Sequence, residues 1–262
     1  MTLSFGVPVL VGFLSAGFTN YLGDQLPKTR WLSRPACSNC GTAQGWLEYL
    51  AAQACRKCGH SRGLRPWIVS GSMLLLSVFT WLRPHRMGYA LGMLLLTYFG
   101  VVVLIDLEHR LILRPTSIVG AGLALGIGWW LHGPLPTLLG GLAGFGIMGA
   151  FYYLGILFTR LRARRLQAAG LAADNEEALG AGDVTLSAIL GLLLGWPLIW
   201  FGLLLGVLLG GAIGLIIVLL ALARGDYGRK ALMLFMPYGP SFVLSAFLIM
   251  FLPSLVARFL PD

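Results

Sequence analysis

Charge is what this chain has least of. Only 11% of its 262 residues are Asp, Glu, Lys or Arg, against about 25% in an ordinary soluble domain. Hydrophobic residues make up 57%, and the mean hydropathy is +0.81. A disordered chain and a soluble basic nucleic-acid binder are excluded, because water is not the main solvent of such a sequence. Carboxylates are the scarcer sign, ten against 19 Lys and Arg, which leaves a net charge of +9 to be explained. Residues 1–5 carry no basic side chain, which argues against a cleaved signal peptide. What is abundant is glycine, 36 residues, which lets helices approach closely in lipid.

Eight apolar runs approach the ~20 residues a helix needs to cross about 30 Å of hydrocarbon: 5–23, 66–82, 88–105, 116–132, 136–158, 184–196, 198–222 and 237–257. None has a charge in its middle, where one would cost about 2.5–3.5 kcal/mol. The stretch 184–222 is broken only at Trp196-Pro197, read here as a turn. One unbroken helix there would run ~58 Å at 1.5 Å per residue, about twice the core thickness. The expected fold is therefore an all-α polytopic membrane protein with about eight transmembrane helices: a first span in 1–23, a small zinc-binding cytoplasmic loop in 24–65, and a seven-helix region in 66–262. Alternate threading puts 16 of the 19 basic residues on the loops 24–65, 106–115, 159–183 and 224–236. The positive-inside rule makes that face cytoplasmic and leaves both termini outside. The +9 then reports orientation and an attraction to membrane lipid headgroups, with no separate support for a nucleic-acid partner.

The four cysteines form a C-x2-C, 14-residue gap, C-x2-C array: Cys37, Cys40, Cys55 and Cys58, each pair followed by a glycine, Gly41 or Gly59. Two such knuckles bring four thiolates to one point, the geometry of a closed structural Zn2+ site. Two disulfides are the rival reading, disfavoured by a reducing cytoplasm. Four thiolates leave no open position for water, so a catalytic zinc is not expected. His60, beside the second knuckle, is read as a solvated loop histidine rather than a ligand.

Asp24, Asp174, Glu176 and Asp226 read as solvated loop residues. Two carboxylates differ. Asp106 directly follows the apolar run ending at Ile105, and Asp183 directly precedes the run beginning at Val184, so both fall at the boundary of the same face. Asp183 ends Gly180-Ala181-Gly182-Asp183, where glycines permit close packing or positive φ before a helix starts. Taken alone, Asp183 is a helix cap. With Asp106 as partner, the pair suits aspartyl protease chemistry, since two facing carboxyls in a partly dry site share one proton while the ionised member activates water.

At this point the residues resemble the type IV prepilin peptidases, integral-membrane aspartyl proteases of the Gly-x-Gly-Asp type. The resemblance rests on the paired cysteine knuckles, on Ile105-Asp106-Leu107-Glu108-His109-Arg110-Leu111-Ile112, on Glu177-Ala178-Leu179-Gly180-Ala181-Gly182-Asp183-Val184, and on Pro237-Tyr238-Gly239-Pro240 before the last apolar run. It implies that Asp106 and Asp183 are the catalytic dyad, that Gly180 and Gly182 shape the second aspartate's approach, that the cysteines bind zinc, and that Pro237, Gly239 and Pro240 bend the chain into its last helix. Glu108, His109 and Arg110 are read as an interfacial turn facing lipid phosphates. The implied substrate is a prepilin or pseudopilin, cut on the cytoplasmic side of a prokaryotic inner membrane. N-methylation of the new terminus with S-adenosylmethionine is a second implied activity, and the sequence contains no glycine-rich cofactor loop to support it. Proline stands at 115 rather than seven residues after Asp106, a departure that bears on where the fourth helix starts. Two other classes compete: a zinc-stapled transporter, which would place its ionisable groups near the midplane rather than at a boundary, and a non-catalytic scaffold of a pilus or secretion assembly, which would tolerate loss of either aspartate.

Overall fold

A computed structural model describes residues 5–83, 86–168, 180–223 and 238–256. Apart from an isolated bridge between Ala36 and Ala43, the regular structure among these residues is helical. The helices are α1 (Gly6–Thr29), α2 (Trp46–Leu50), α3 (Arg65–Leu82), α4 (Gly88–His109), α5 (Arg114–His132), α6 (Pro134–Ala168), α7 (Ala181–Leu194), α8 (Leu198–Ala223), α9 (Gly239–Phe251) and the short α10 (Pro253–Val256). Each of the eight apolar runs carries a helix. Three prolines sit where the missing N–H costs nothing, in the first turns of α3 (Pro66), α5 (Pro115) and α9 (Pro240). Four helices, α1, α4, α6 and α8, are long and apolar enough to cross a membrane, while α7 and α9 are shorter apolar helices. Several large apolar side chains of α8 face outward, Leu204, Leu208, Leu215 and Ile216 among them, as in a protein whose solvent is lipid.

Three helices run clearly past their expected ends, α4 by the four residues to His109 and two others by more. α1 continues from residue 23 through Thr29, so Asp24 belongs to a helix and not to a loop. α6 continues through Ala168, about 52 Å at 1.5 Å per residue, so the start of the expected 159–183 loop is helical. The polar character of those residues marked the end of the apolar run, but polarity does not end a helix. α5 begins at Arg114, which puts Pro115 in its first turn and absorbs the displaced proline.

The chain divides into two compact units, Met1–Thr116 and Ser117–Asp262. In the first, α1, α3 and α4 pack together. Leu26, Val101, Ile105 and Leu113 form a buried cluster with Leu22 against it. The loop between α1 and α3 is fastened by aromatics: Tyr21 of α1 lies 5.0 Å from the Trp46 ring and 6.3 Å from that of Tyr49, and its hydroxyl donates to the Ser33 carbonyl.

In the second unit α6 and α7 make the most extensive helix pair. Glycine makes their approach close. A Cβ at Gly191 would fall 2.1 Å from the Gly140 carbonyl oxygen, and one at Gly144 would fall 2.2 Å from that of Ser187. Such backbone contact is the expected use of small residues in lipid, where apolar side chains gain nothing by leaving one another's solvent. α9 packs on α8 and α7, with Phe242 buried and the Ser245 hydroxyl donating to the Gly202 carbonyl at 2.8 Å.

Candidate functional site

The loop between α1 and α3 brings the four cysteines together. All four sulfurs lie within 4.8 Å of one another, with Cys37 to Cys58 and Cys40 to Cys55 each 3.6 Å apart. A tetrahedral zinc with Zn–S of about 2.3 Å separates its sulfurs by ~3.8 Å, so the cluster fits a metal ion of that kind. The two knuckles share one construction. The Gly41 N–H donates to the Cys37 carbonyl and the Cys37 N–H to that of Thr42; likewise the Gly59 N–H donates to Cys55 and the Cys55 N–H to His60. Each glycine has a positive φ, +70° at Gly41 and +69° at Gly59, the left-handed turn that a glycine adopts without strain. His60 is exposed and contributes its carbonyl to the second knuckle, in keeping with a loop rather than a ligand role.

The thiols are tuned unequally. The Thr42 hydroxyl and backbone N–H lower Cys40 to about 6, and N–H groups of Cys40 and Asn39 also lower Cys37. At Cys58 the His60 N–H acts downward, but desolvation and the neighbouring sulfurs outweigh it and raise the thiol to about 11. Negative charge accumulating on four adjacent sulfurs is what a bound cation relieves.

Below the knuckles lies a network that the sequence reading missed. Asp24, near the end of α1, accepts from Arg62 at 2.7 Å, from Arg65 and from the Tyr49 hydroxyl. Its side chain is only 15% exposed, so it is not a solvated residue. Arg62 also donates to the Tyr49 carbonyl at 3.0 Å and lies 3.9 Å from the centre of that ring. The Tyr49 hydroxyl is pushed upward, first by burial and then by the Asp24 charge. Arg65, the first residue of α3, reaches Glu108 of α4 with its Nε 2.5 Å from Oε1. Glu108 is therefore half of an ion pair, which replaces the expectation that it faces lipid phosphates. The available signal was the Arg62-x-x-Arg65 pair opening a helix opposite a lone Asp that follows an apolar run.

Asp106 lies in the last turn of α4, 4% exposed, next to the buried Ile105. The helix ends at His109, where Arg110 turns left-handed (φ 54°, ψ 40°) and donates its N–H to the Asp106 carbonyl at 2.9 Å. Asp183 stands in the first turn of α7, partly buried, its N–H on the Gly180 carbonyl at 3.0 Å. Gly180, not Asp183, is the N-cap, and it is extended (φ −83°, ψ 145°) rather than left-handed. A Cβ on Gly180 would meet Asp183 Oδ2 no closer than 3.8 Å. Gly182 is in the same first turn. Asp183 sits where the positive end of the helix dipole favours a carboxylate. Gly239 and Pro240 open α9 behind Tyr238, while Pro237, Glu176 and Glu177 lie outside the described residues. The structure thus gathers the cysteines at one point and puts Asp106 in the first unit and Asp183 in the second.

Residues 93–215 match the model of the type IV leader peptidase family. Over this segment, a little under half of the chain, it is similar to that family. No curated protein and no solved structure matches it. The leader peptidase segment contains both boundary aspartates and α5 to α7, and it excludes the cysteine loop and the opening of α9. The match supports a peptidase built on apolar helices, and the metal capacity of its loop rests on the cysteine geometry alone.

Proposed function

We propose that this leader peptidase is a membrane aspartic endopeptidase in which Asp106 and Asp183 together cleave the leader from a prepilin or pseudopilin at the cytoplasmic face. The observation that carries the reading is the family match across both aspartates, each at the end of an apolar helix whose middle carries no charge. The ionised carboxylate takes a proton from water as the water oxygen attacks the scissile carbonyl carbon. The protonated partner gives its proton to the carbonyl oxygen. Collapse of the tetrahedral species breaks the C–N bond, and the departing amine takes up the proton removed from water. The residues of a transporter or a scaffold would have no reason to match a peptidase family over this segment. Sixteen basic residues on one set of loops and the helix ends beside them support a cytoplasmic orientation.

Zinc held by Cys37, Cys40, Cys55 and Cys58 supplies cross-linking of the loop and no chemistry to the cleavage. Gly180 and Gly182 free the start of α7 of side chains beside Asp183, and Gly239 and Pro240 open α9; a supporting role for Pro237 rests on the sequence motif alone. The domain proposal is a first span in 1–23, a metal loop in 24–65 whose opening residues continue α1 to Thr29, and a protease region in 66–262. Methyl transfer from S-adenosylmethionine is tested apart from cleavage, by offering a labelled donor with a mature pilin peptide.

The test is co-expression of a prepilin with the parent, Asp106→Asn or Asp183→Asn, with cleavage followed by mobility shift. Both variants are expected to leave the precursor uncut. Parental cleavage by either would remove that residue from the chemistry.

A further inference from the structure

Arg65 joins the metal loop's end of α3 to both of its neighbouring helices. It holds Asp24 of α1 through Nη1 and Glu108 of α4 through Nε, and it lines a cavity of about 480 Å3 with those two acids, Lys28 and His109. Asp24 does not depend on it, because Arg62 and Tyr49 hold that carboxylate as well. Glu108 has Arg65 as its ion-pair partner among the described residues. Glu108 lies two residues after Asp106, one residue before α4 ends. The last turn of a helix has lost part of its backbone hydrogen bonding and frays unless something fastens it. The fastenings here include the Arg110 N–H on the Asp106 carbonyl and the Arg65–Glu108 ion pair.

We infer that Arg65 is a positioning residue for Asp106: by gripping Glu108 it fixes the final turn of α4, and with it the direction in which the Asp106 carboxyl points. Two positions along an α-helix differ by about 200° in direction, so Arg65 works through the helix backbone and not by charge on the carboxyl itself. The inference rests on the reading of Asp106 as catalytic. It also explains why a pair 24% and 32% exposed, whose contribution to stability as a near-surface ion pair is small, is placed at this point of the fold.

The experiment uses the purified full-length, metal-loaded protein and a prepilin peptide. Arg65→Gln, Glu108→Gln and the double variant are compared by kcat, KM, metal content and melting temperature. Glu108→Gln keeps the side-chain shape and leaves Asp24 fully paired, so it stands even where Arg65→Gln destabilises the loop. Each single variant is expected to lose kcat by about tenfold to a hundredfold, the scale of a catalytic group displaced by up to an ångström. KM and metal content should stay near the parent's. The double variant should lose no more than either single, because one interaction is removed twice. Arg65→Lys, which cannot span both acids with a guanidinium fork, should recover part of the loss. Additive losses, a loss confined to KM, or a loss that tracks bound metal would overturn the inference. Asp106→Asn in the same assay separates the two claims: if it is inactive while Glu108→Gln is at the parental rate, positioning alone fails; if it cleaves at the parental rate, both fail.

Discussion

Replacing Gly191 by Ala puts a methyl group where the structure has no room for one. The new Cβ would lie 2.1 Å from the Gly140 carbonyl oxygen and 2.7 Å from its carbon, whereas ordinary contact begins at about 3.4 Å. Both neighbours are backbone atoms of α6 and cannot swing aside. α7 must therefore move from α6 by roughly 1 Å, loosening the neighbouring approaches, including that of Gly144 to Ser187. Overpacking of this kind costs about 1–3 kcal/mol, and the better helix propensity of alanine returns up to about 1 kcal/mol. A net loss of roughly 1–2 kcal/mol is expected, with rate falling by up to about a hundredfold as the helix bearing Asp183 shifts. The control is Gly149→Ala, whose Cβ would meet only Val184 Cγ1 at 3.9 Å. It should hold or raise stability. Thermal melting in detergent and prepilin cleavage are measured on both. If Gly191→Ala melts with the parent and cleaves at its rate, close backbone packing of α6 on α7 is not what places Asp183.

Substituting serine for any one of Cys37, Cys40, Cys55 or Cys58 should cut bound zinc, measured by metal analysis, and increase proteolytic nicking between residues 30 and 64, because the loop loses its cross-link. The apparent zinc affinity should weaken steeply as pH falls through about 6, where Cys40 takes up its proton, and binding at neutral pH should release the proton of Cys58, which titrates near 11 in the metal-free cluster; pH-stat titration reads both, and an affinity constant from pH 8 to 5 would contradict thiolate ligation. Asp24→Ala should destabilise the first unit by about 3–5 kcal/mol, since it leaves the buried Arg62 without a carboxylate and Arg65 with Glu108 alone, whereas Tyr49→Phe, which removes one hydrogen bond to Asp24, should cost about 1–2 kcal/mol; denaturant melts that rank the two the other way would refute the network as described.

The parts legible in the sequence were those set by local pattern. Apolar length placed a helix in each of the eight runs, and the C-x2-C-Gly spacing foretold both knuckles, because the positive φ that Gly41 and Gly59 adopt is a local demand. Long-range pairing was not legible. Asp24 looked like a loop residue because it follows the last apolar residues of its run, yet its partners are Tyr49, Arg62 and Arg65, 25 to 41 positions away. Glu108 was hidden for the same reason. Asp183 read as a cap by its neighbours, but the helix starts two residues earlier at Ala181 and the aspartate faces the first turn from inside.

The central claim is that Asp106 and Asp183 act as one unit. Cleavage rates of purified Asp106→Asn, Asp183→Asn and the double variant test it most directly. If the two carboxyls share one proton and one water, each single substitution abolishes nearly all of the rate, and the double variant is no slower than either. Losses that multiply in the double variant, or a single variant that retains the parental rate, would contradict it.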